Sequence, residues 1–346
     1  MPLTPTRTPT RTRTRTSTAR RVLAGTLAAG LLLTGCGDGG GDGGGGSGDG
    51  REHKRDPERS RQWALDALKL PGAWKRAEGE DTVIAVVDTG ADLDHPDLKG
   101  RLADGYDFVD GDKEPRDENG HGTHVSGIAA AHTDNGVGVA GGAPGAKIMP
   151  VRVLGPDGTG RNADITRGII WAADHGADVI NLSLGESGLM ARLLKGGILN
   201  KAIDVAHDKG AVVVGAAGNE GTALQPYRLD TPVLVVGASD RNGEPADFSN
   251  FGAKDAVSAP GVGILSTLPT YRTEESAENR SGYGKLDGTS MAAPYVSAVA
   301  ALLHQQGRDP DAIAEAIRDT ARNPGAEPRL GLGVVDAKAA VDSRKK

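Results

Sequence analysis

An α/β fold with a central, mostly parallel twisted sheet flanked by helices is predicted by three observations. Short runs rich in Val and Ile recur through the chain, and longer stretches with helical spacing separate them. The runs lack the apolar/polar alternation of a half-exposed strand, which marks strands buried on both faces. Such strand–helix–strand alternation builds a layered domain through right-handed crossovers. The strands read as Val83–Val87, Ile148–Val153, Val179–Leu182, Val212–Ala216 and Leu234–Val236. Thr123–Ala131, Ala163–His175 and Gly197–Asp208 read as helices between them. Thr289–Gln306 reads as a long apolar helix, with Pro310–Ala321 and Asp336–Asp342 as terminal ones.

The N-terminus carries an address rather than a fold. Met1 to Arg21 hold six Arg and no acid, and Val22 to Leu33 form an apolar run. A charged start, an apolar stretch of about 7–15 residues and small residues at the cut read as an export signal. The run is shorter than the ~20 residues of a spanning helix. Leu33-Thr34-Gly35-Cys36 resembles the bacterial lipobox, and Cys36 is the only cysteine. The expectation is a signal peptide over residues 1–35 and a lipidated Cys36 that anchors the protein to the outer face of a bacterial cell membrane. Arg20-Arg21 leaves Sec and twin-arginine export both open. Residues 36–55 read as a Gly/Asp-rich flexible tether, and residues 56–346 as one domain. The tether leaves no stretch that reads as a folding prosegment, so the domain either folds unaided, with calcium supplying part of the stability, or is chaperoned by something else.

Charge narrows the partners. Without the six N-terminal Arg, 34 basic residues face 46 acidic ones, a net of −12. That argues against nucleic-acid binding, which needs a basic face, and suits a protein that holds cations. With one lipidated cysteine there are no disulfides, so stability must come from the core and from bound metal. A monomer is expected.

Asp88 follows the first strand, at the carboxyl edge where such sheets bind ligands. Asp88-Thr89-Gly90 alone would suit an aspartic protease, but those enzymes need two such loops on an all-β scaffold. The chain has no second one. Four further stretches redirect the reading: "NGHGTHVSGIAA" (Asn119–Ala130), "VINLSLG" (Val179–Gly185), "AAGNEG" (Ala216–Gly221) and "GTSMAAP" (Gly288–Pro294). With "VIAVVDTGADLDHPDL" (Val83–Leu98), they resemble the subtilisin-like serine proteases, above all their thermitase-like branch. The resemblance runs from about Asp56 to Val341, and the order Asp, His, Ser is that of the subtilisins.

The resemblance implies a three-layer subtilisin-like fold and an Asp88, His121, Ser290 triad. Serine is a weak nucleophile at neutral pH and needs an adjacent base. His121 would take the Ser290 proton and return it to the leaving amine, while Asp88 orients the imidazole. Asn219, after a buried strand, would donate to the oxyanion. Ser183, Leu184 and Gly185 would pair with substrate backbone as a strand, with Thr159 and Gly160 facing them. A zinc reading of His121 and His124 fails, because the spacing is i,i+3 with no Glu between them. Hydrolysis of protein or peptide substrates follows, near neutral or alkaline pH where His121 is unprotonated. A lipoprotein that keeps the fold only to bind peptides would show a lost triad or oxyanion residue, and none is lost.

Calcium is the cofactor the resemblance implies, at one or two structural sites. In the first, Asp107, Asp110 and Asp112 would supply carboxylates, with carbonyls from Glu114 and Arg116. In the second, Asp97 and Asn135 would act with the carbonyls of His132, Val137 and Val139, and Asp56 would close the shell. No catalytic cofactor is expected.

Overall fold

The computed structural model describes residues 54–184, 197–277, 279 and 281–344. The signal stretch, Cys36, the tether and Gly185 lie outside the described residues. Among those described, seven strands form one parallel sheet: β1 (Val83–Asp88), β2 (Tyr106–Asp107), β3 (Lys147–Arg152), β4 (Val179–Leu182), β5 (Val212–Ala216), β6 (Val233–Ser239) and β7 (Val257–Pro260). Their order is β2-β3-β1-β4-β5-β6-β7, and every pairing is parallel. Two short strands, β8 (Ile264–Thr267) and β9 (Tyr283–Leu286), pair antiparallel outside it.

Alternate side chains of the central strands enter different cores, which makes the domain three-layered. Ile84 and Val86 of β1 join one core, Ala85 and Val87 the other. The first core is covered by α3 (His121–Ala130) and the long helix α6 (Thr289–Gln305). The second is covered by α4 (Asn162–Asp174) and α5 (Ile198–Asp208). The helices α1 (Trp63–Ala67), α2 (Leu70–Ala73), α7 (Pro310–Thr320) and α8 (Ala337–Asp342) extend the first core. The last helix returns to the beginning of the domain: the Ala337 N–H donates to Leu68 O at 2.9 Å, and Lys69 pairs with Asp336 at 3.1 Å.

The predicted elements sit where the sequence places them, with shifted ends. Helix α3 opens at His121 rather than Thr123, because Gly120 takes a φ of 115° that turns the chain into the helix. β6 begins at Val233 and continues to Ser239, so it outruns the predicted Leu234–Val236 at both ends. β2, β7, β8 and β9 are additions.

Helix α6 is buried from Thr289 to Leu303, and it carries Pro294 without ending. A proline has no N–H to give the carbonyl four residues earlier, here that of Ser290. The Ser183 hydroxyl supplies the missing donor at 2.9 Å.

Gly127 fixes the approach of α3 to β8. A Cβ there would lie 2.1 Å from Thr267 Oγ1 and 2.5 Å from Ser266 Oγ. Both hydroxyls are pinned, donating to the carbonyls of Thr123 and His124 at 2.7 and 2.8 Å. Alanine gains about 1 kcal/mol of helix propensity over glycine, but these oxygens cannot withdraw without losing their bonds. Gly127→Ala should therefore destabilise the domain by about 1–3 kcal/mol, read as a lower urea midpoint with an unchanged slope.

Candidate active site

The carboxyl ends of β1, β4 and β5 and the amino ends of α3 and α6 bring the predicted residues to one edge. Asp88 ends β1 and is fully buried. Its Oδ1 accepts from the Thr89 N–H at 2.7 Å and from His121 Nδ1 at 2.8 Å. That bond leaves Nε2 as the atom able to exchange a proton with a substrate or nucleophile. His121, the first residue of α3, keeps 15% of its side chain exposed.

Ser290 is the second residue of α6 and is 1% exposed. Its hydroxyl donates to Ser183 O at 3.2 Å, so Ser183 and Ser290 are tied in both directions. Asn219 follows β5. Its Oδ1 accepts from the Thr289 N–H at 2.9 Å and the Thr289 hydroxyl at 3.0 Å. The side-chain oxygen is thereby committed to the α6 terminus, which assigns the opposite end of the amide to Nδ2, a donor.

The segments expected to pair with substrate are irregular rather than ladder strands. Ser183 and Leu184 follow β4 and are buried. Thr159 and Gly160 lie in the connection that leads into α4, where the Thr159 N–H and hydroxyl both donate to Asp157 Oδ1 at 3.0 and 2.8 Å. A Cβ on Gly160 would meet Val153 O at 2.3 Å, so only glycine lets this connection lie so close to the end of β3.

A second network underlies the first. Asp117 is completely buried, and its two oxygens accept five hydrogen bonds. Oδ1 takes the Thr89 hydroxyl at 2.8 Å and the N–H groups of Asn119 and Gly120 at 3.0 and 2.7 Å. Oδ2 takes the N–H and hydroxyl of Thr123 at 2.8 and 2.6 Å. Thr89 Oγ1 in turn accepts from the Gly122 N–H at 2.9 Å. Sequence reading passed over Asp117, although an Asp four residues before the helix-opening His is a recognisable source of acceptors for a helix N-terminus.

The two loops assigned to calcium differ. In the acidic loop, Asp107 Oδ2 and Asp110 Oδ2 both accept from Arg152 Nη1, at 2.8 and 2.7 Å, and Glu118 takes Nη2 at 2.5 Å. Asp107 Oδ1 already caps Val109 and Asp110, and Asp112 Oδ1 accepts from the Glu114 N–H at 2.8 Å. A buried guanidinium, itself unforeseen from the sequence, therefore supplies the positive charge, and a cation would have to compete with it. In the other loop, Asp97 is fully buried and Asp56 nearly so. Among the described residues no Lys or Arg ion pair reaches either, and burial raises the pKa of both. Asn135 joins them: its Nδ2 donates to Asp97 Oδ1 at 2.9 Å and its N–H to Asp56 Oδ1 at 3.0 Å. Asp97 Oδ2 accepts from the Val139 N–H, the Asn135 side-chain oxygen from the Val137 N–H, and the His132 N–H donates to Asp97 O. Two buried carboxylates without a Lys or Arg partner among the described residues, beside a loop rich in carbonyls, fit a hard divalent cation.

A parallel α/β sheet with Asp88 bonded to His121 at its carboxyl edge and Ser290 at the start of a buried helix, in that chain order, has the form of the subtilisin class. The Subtilase family model matches residues 79–333. The chain is 43% identical over 287 residues to thermitase of Thermoactinomyces vulgaris, covering 83% of this chain and 95% of that one. It is 47% identical over 252 residues to a thermophilic serine proteinase of Bacillus sp. (strain AK1), covering 72% of this chain and 59% of that relative. A solved protease structure from Pseudoalteromonas arctica superposes with a TM-score of 0.71 at 36% identity, covering 84% of this chain and 99% of that one. The chain belongs to the subtilase family and is a subtilisin-like serine endopeptidase.

His124 is a packing residue in this setting. It is buried, its Nε2 lies 3.2 Å from Gly284 O, and burial lowers its pKa to about 3. The unfolded chain binds this proton near pH 6.5 and the folded one does not. The stability His124 contributes is thus complete above about pH 6.5 and is lost as pH falls toward about 3, at up to about 1.4 kcal/mol per pH unit. Imidazole NMR should show His124 neutral down to about pH 4 in the folded protein, and His124→Gln should flatten the acid limb of stability against pH.

Proposed function

We propose that the protein is an exported, lipid-anchored endopeptidase that cleaves extended segments of proteins through Asp88, His121 and Ser290. The 2.8 Å bond from His121 Nδ1 to Asp88 carries this reading, because it holds the imidazole in the tautomer that presents a basic Nε2 to the nucleophile. His121 takes the Ser290 hydroxyl proton as Oγ attacks the scissile carbonyl carbon. Asn219 Nδ2 donates to the resulting oxyanion in a site already organised for it. Collapse breaks the C–N bond, the amine leaves with the proton from His121, and the acyl group stays on Oγ. Water then attacks the ester with His121 again as base, releasing the acid and restoring Ser290. Ser183 and Leu184, together with Gly185, offer main chain to one side of the peptide, and Thr159 and Gly160 to the other. Cys36, lipidated, would hold the domain outside the membrane through the tether. No described helix is long and apolar enough to cross a membrane.

The test is covalent labelling of residues 51–346 by a fluorophosphonate, read by intact mass. A single adduct that Ser290→Ala abolishes is the expected result. A folded protein with no adduct would leave a peptide-binding module as the better reading.

Calcium belongs in the same proposal. Asp56, Asp97 and Asn135, with carbonyls of His132, Val137 and Val139, would hold one ion that neutralises buried charge and fastens the segment at Asp56 to the loop. When bound it supplies stability, and no chemical step passes through it. A ligand at about a hundredfold over its Kd stabilises by about 2.7 kcal/mol, so calcium should raise the unfolding midpoint of a domain this size by about 4–5 °C. Asp97→Asn should lose that response, and an equal response in the variant would remove the ion from this loop.

A further inference from the structure

Asp117 lies outside the Asp88, His121 and Ser290 set, yet it is the most heavily hydrogen-bonded carboxylate described. Its five partners come from three places: the residue after Asp88, the turn before His121, and the first turn of α3. Thr89 Oγ1 accepts from the Gly122 N–H and Thr123 Oγ1 from the Asp92 N–H, so both hydroxyls must point their hydrogens at Asp117. All five contacts are then donors, and a protonated carboxyl would aim its own hydrogen at one of them. Burial opposes ionisation here, but the donor set requires the anion.

We propose that Asp117 is a positioning residue for the hydrolysis: its buried carboxylate locks the strand end bearing Asp88 to the helix start bearing His121, and its charge helps set the pH at which His121 becomes a base. The inference rests on the triad proposed above. Geometry supports the first half. Asp88 and His121 belong to different elements, and a 2.8 Å bond between them survives only if those elements cannot slide. Asp117 bonds to both ends, and its own N–H donates to Ala91 O at 3.0 Å, fastening it to the loop after β1. Gly122 leaves no slack, since a Cβ on it would meet Gly90 O at 2.2 Å. Electrostatics supports the second half. A negative charge held in a low-dielectric site near an imidazole favours the imidazolium.

Other titratable groups sit on the neighbouring elements and are present in every variant. They are Asp88 on β1, Asp92 beyond it, Arg116 and Glu118 in the preceding loop, and His124 one turn along α3. Tyr271, Glu274 and Glu275 complete the set on the segment packed against Asp117, Asn119 and Gly120. Thr89→Val, which keeps the Asp117 charge and cuts one of its ties, separates loss of charge from loss of position.

The experiment is the rate of fluorophosphonate labelling against pH for the wild type, Asp117→Asn, Thr89→Val and Thr89→Ser, each checked for a cooperative thermal transition. Asp117→Asn replaces one acceptor oxygen by a donor facing Thr123 and removes the charge. Its plateau rate should fall about tenfold or more, and its acid limb should move to lower pH by about half a unit. Thr89→Val keeps the charge but cuts the tie from Asp117 to Gly122. Its plateau should fall with the limb unmoved, and Thr89→Ser should restore the rate. A folded Asp117→Asn whose limb stays at the wild-type pH overturns the electrostatic role. A Thr89→Val as fast as wild type overturns the positioning role, and it remains readable if Asp117→Asn does not fold. Failure of the wild type to label at Ser290 would instead refute the triad itself.

Discussion

The rest of the molecule is organised around a helix that has no exposed face to spare. α6 packs against the sheet with every residue from Thr289 to Leu303 buried. A helix so enclosed cannot leave a polar group without a partner, because no water reaches it to compensate. Pro294 removes one donor inside it, and Ser183 replaces that donor from the end of β4. The replacement ties the residue that would carry the nucleophile to the segment that would carry the substrate. A packing defect in a core helix thus becomes a positioning device at the cleft.

Buried acid is the second organising theme, and the fold answers it in three ways. Asp88 and Asp117 are met by N–H, hydroxyl and imidazole donors gathered at strand and helix ends. Asp107 is met by the guanidinium of Arg152. Asp56 and Asp97 are met by backbone N–H groups and one amide, with no Lys or Arg partner among the described residues. Removing a partner from a buried carboxylate is costly, so each solution is coupled to the stability of the loops that provide it.

The sequence made the sheet legible because Val/Ile runs such as Val83–Val87 and Val212–Ala216 have no other stable place than a doubly covered interior. It hid β7 and β9, which are four residues long and carry Ser, Pro, Gly and Lys. Nothing in such short mixed segments distinguishes a strand from a loop, and only their neighbours decide it. The residues proposed for catalysis were readable from types and order along the chain. Asp117 and Arg152 were not, because their roles lie in which backbone and side-chain groups the fold brings to them. For Asp107 and Asp110, a count of carboxylates suggested a cation but could not reveal that a strand-end arginine would reach the same oxygens.

The meeting of α8 with α2 has a consequence for how the protein comes into being. Leu68 and Lys69 receive Ala337 and Asp336 as partners, across nearly the whole length of the domain. Part of the apolar surface of the first helices therefore stays uncovered until the residues around Asp336 are in place. The fold is completed from its tail, and a truncated product that stops short of Asp336 would have its sheet residues but no closure over its opening helices. Closure of the domain thus depends on residues near both ends of the described fold.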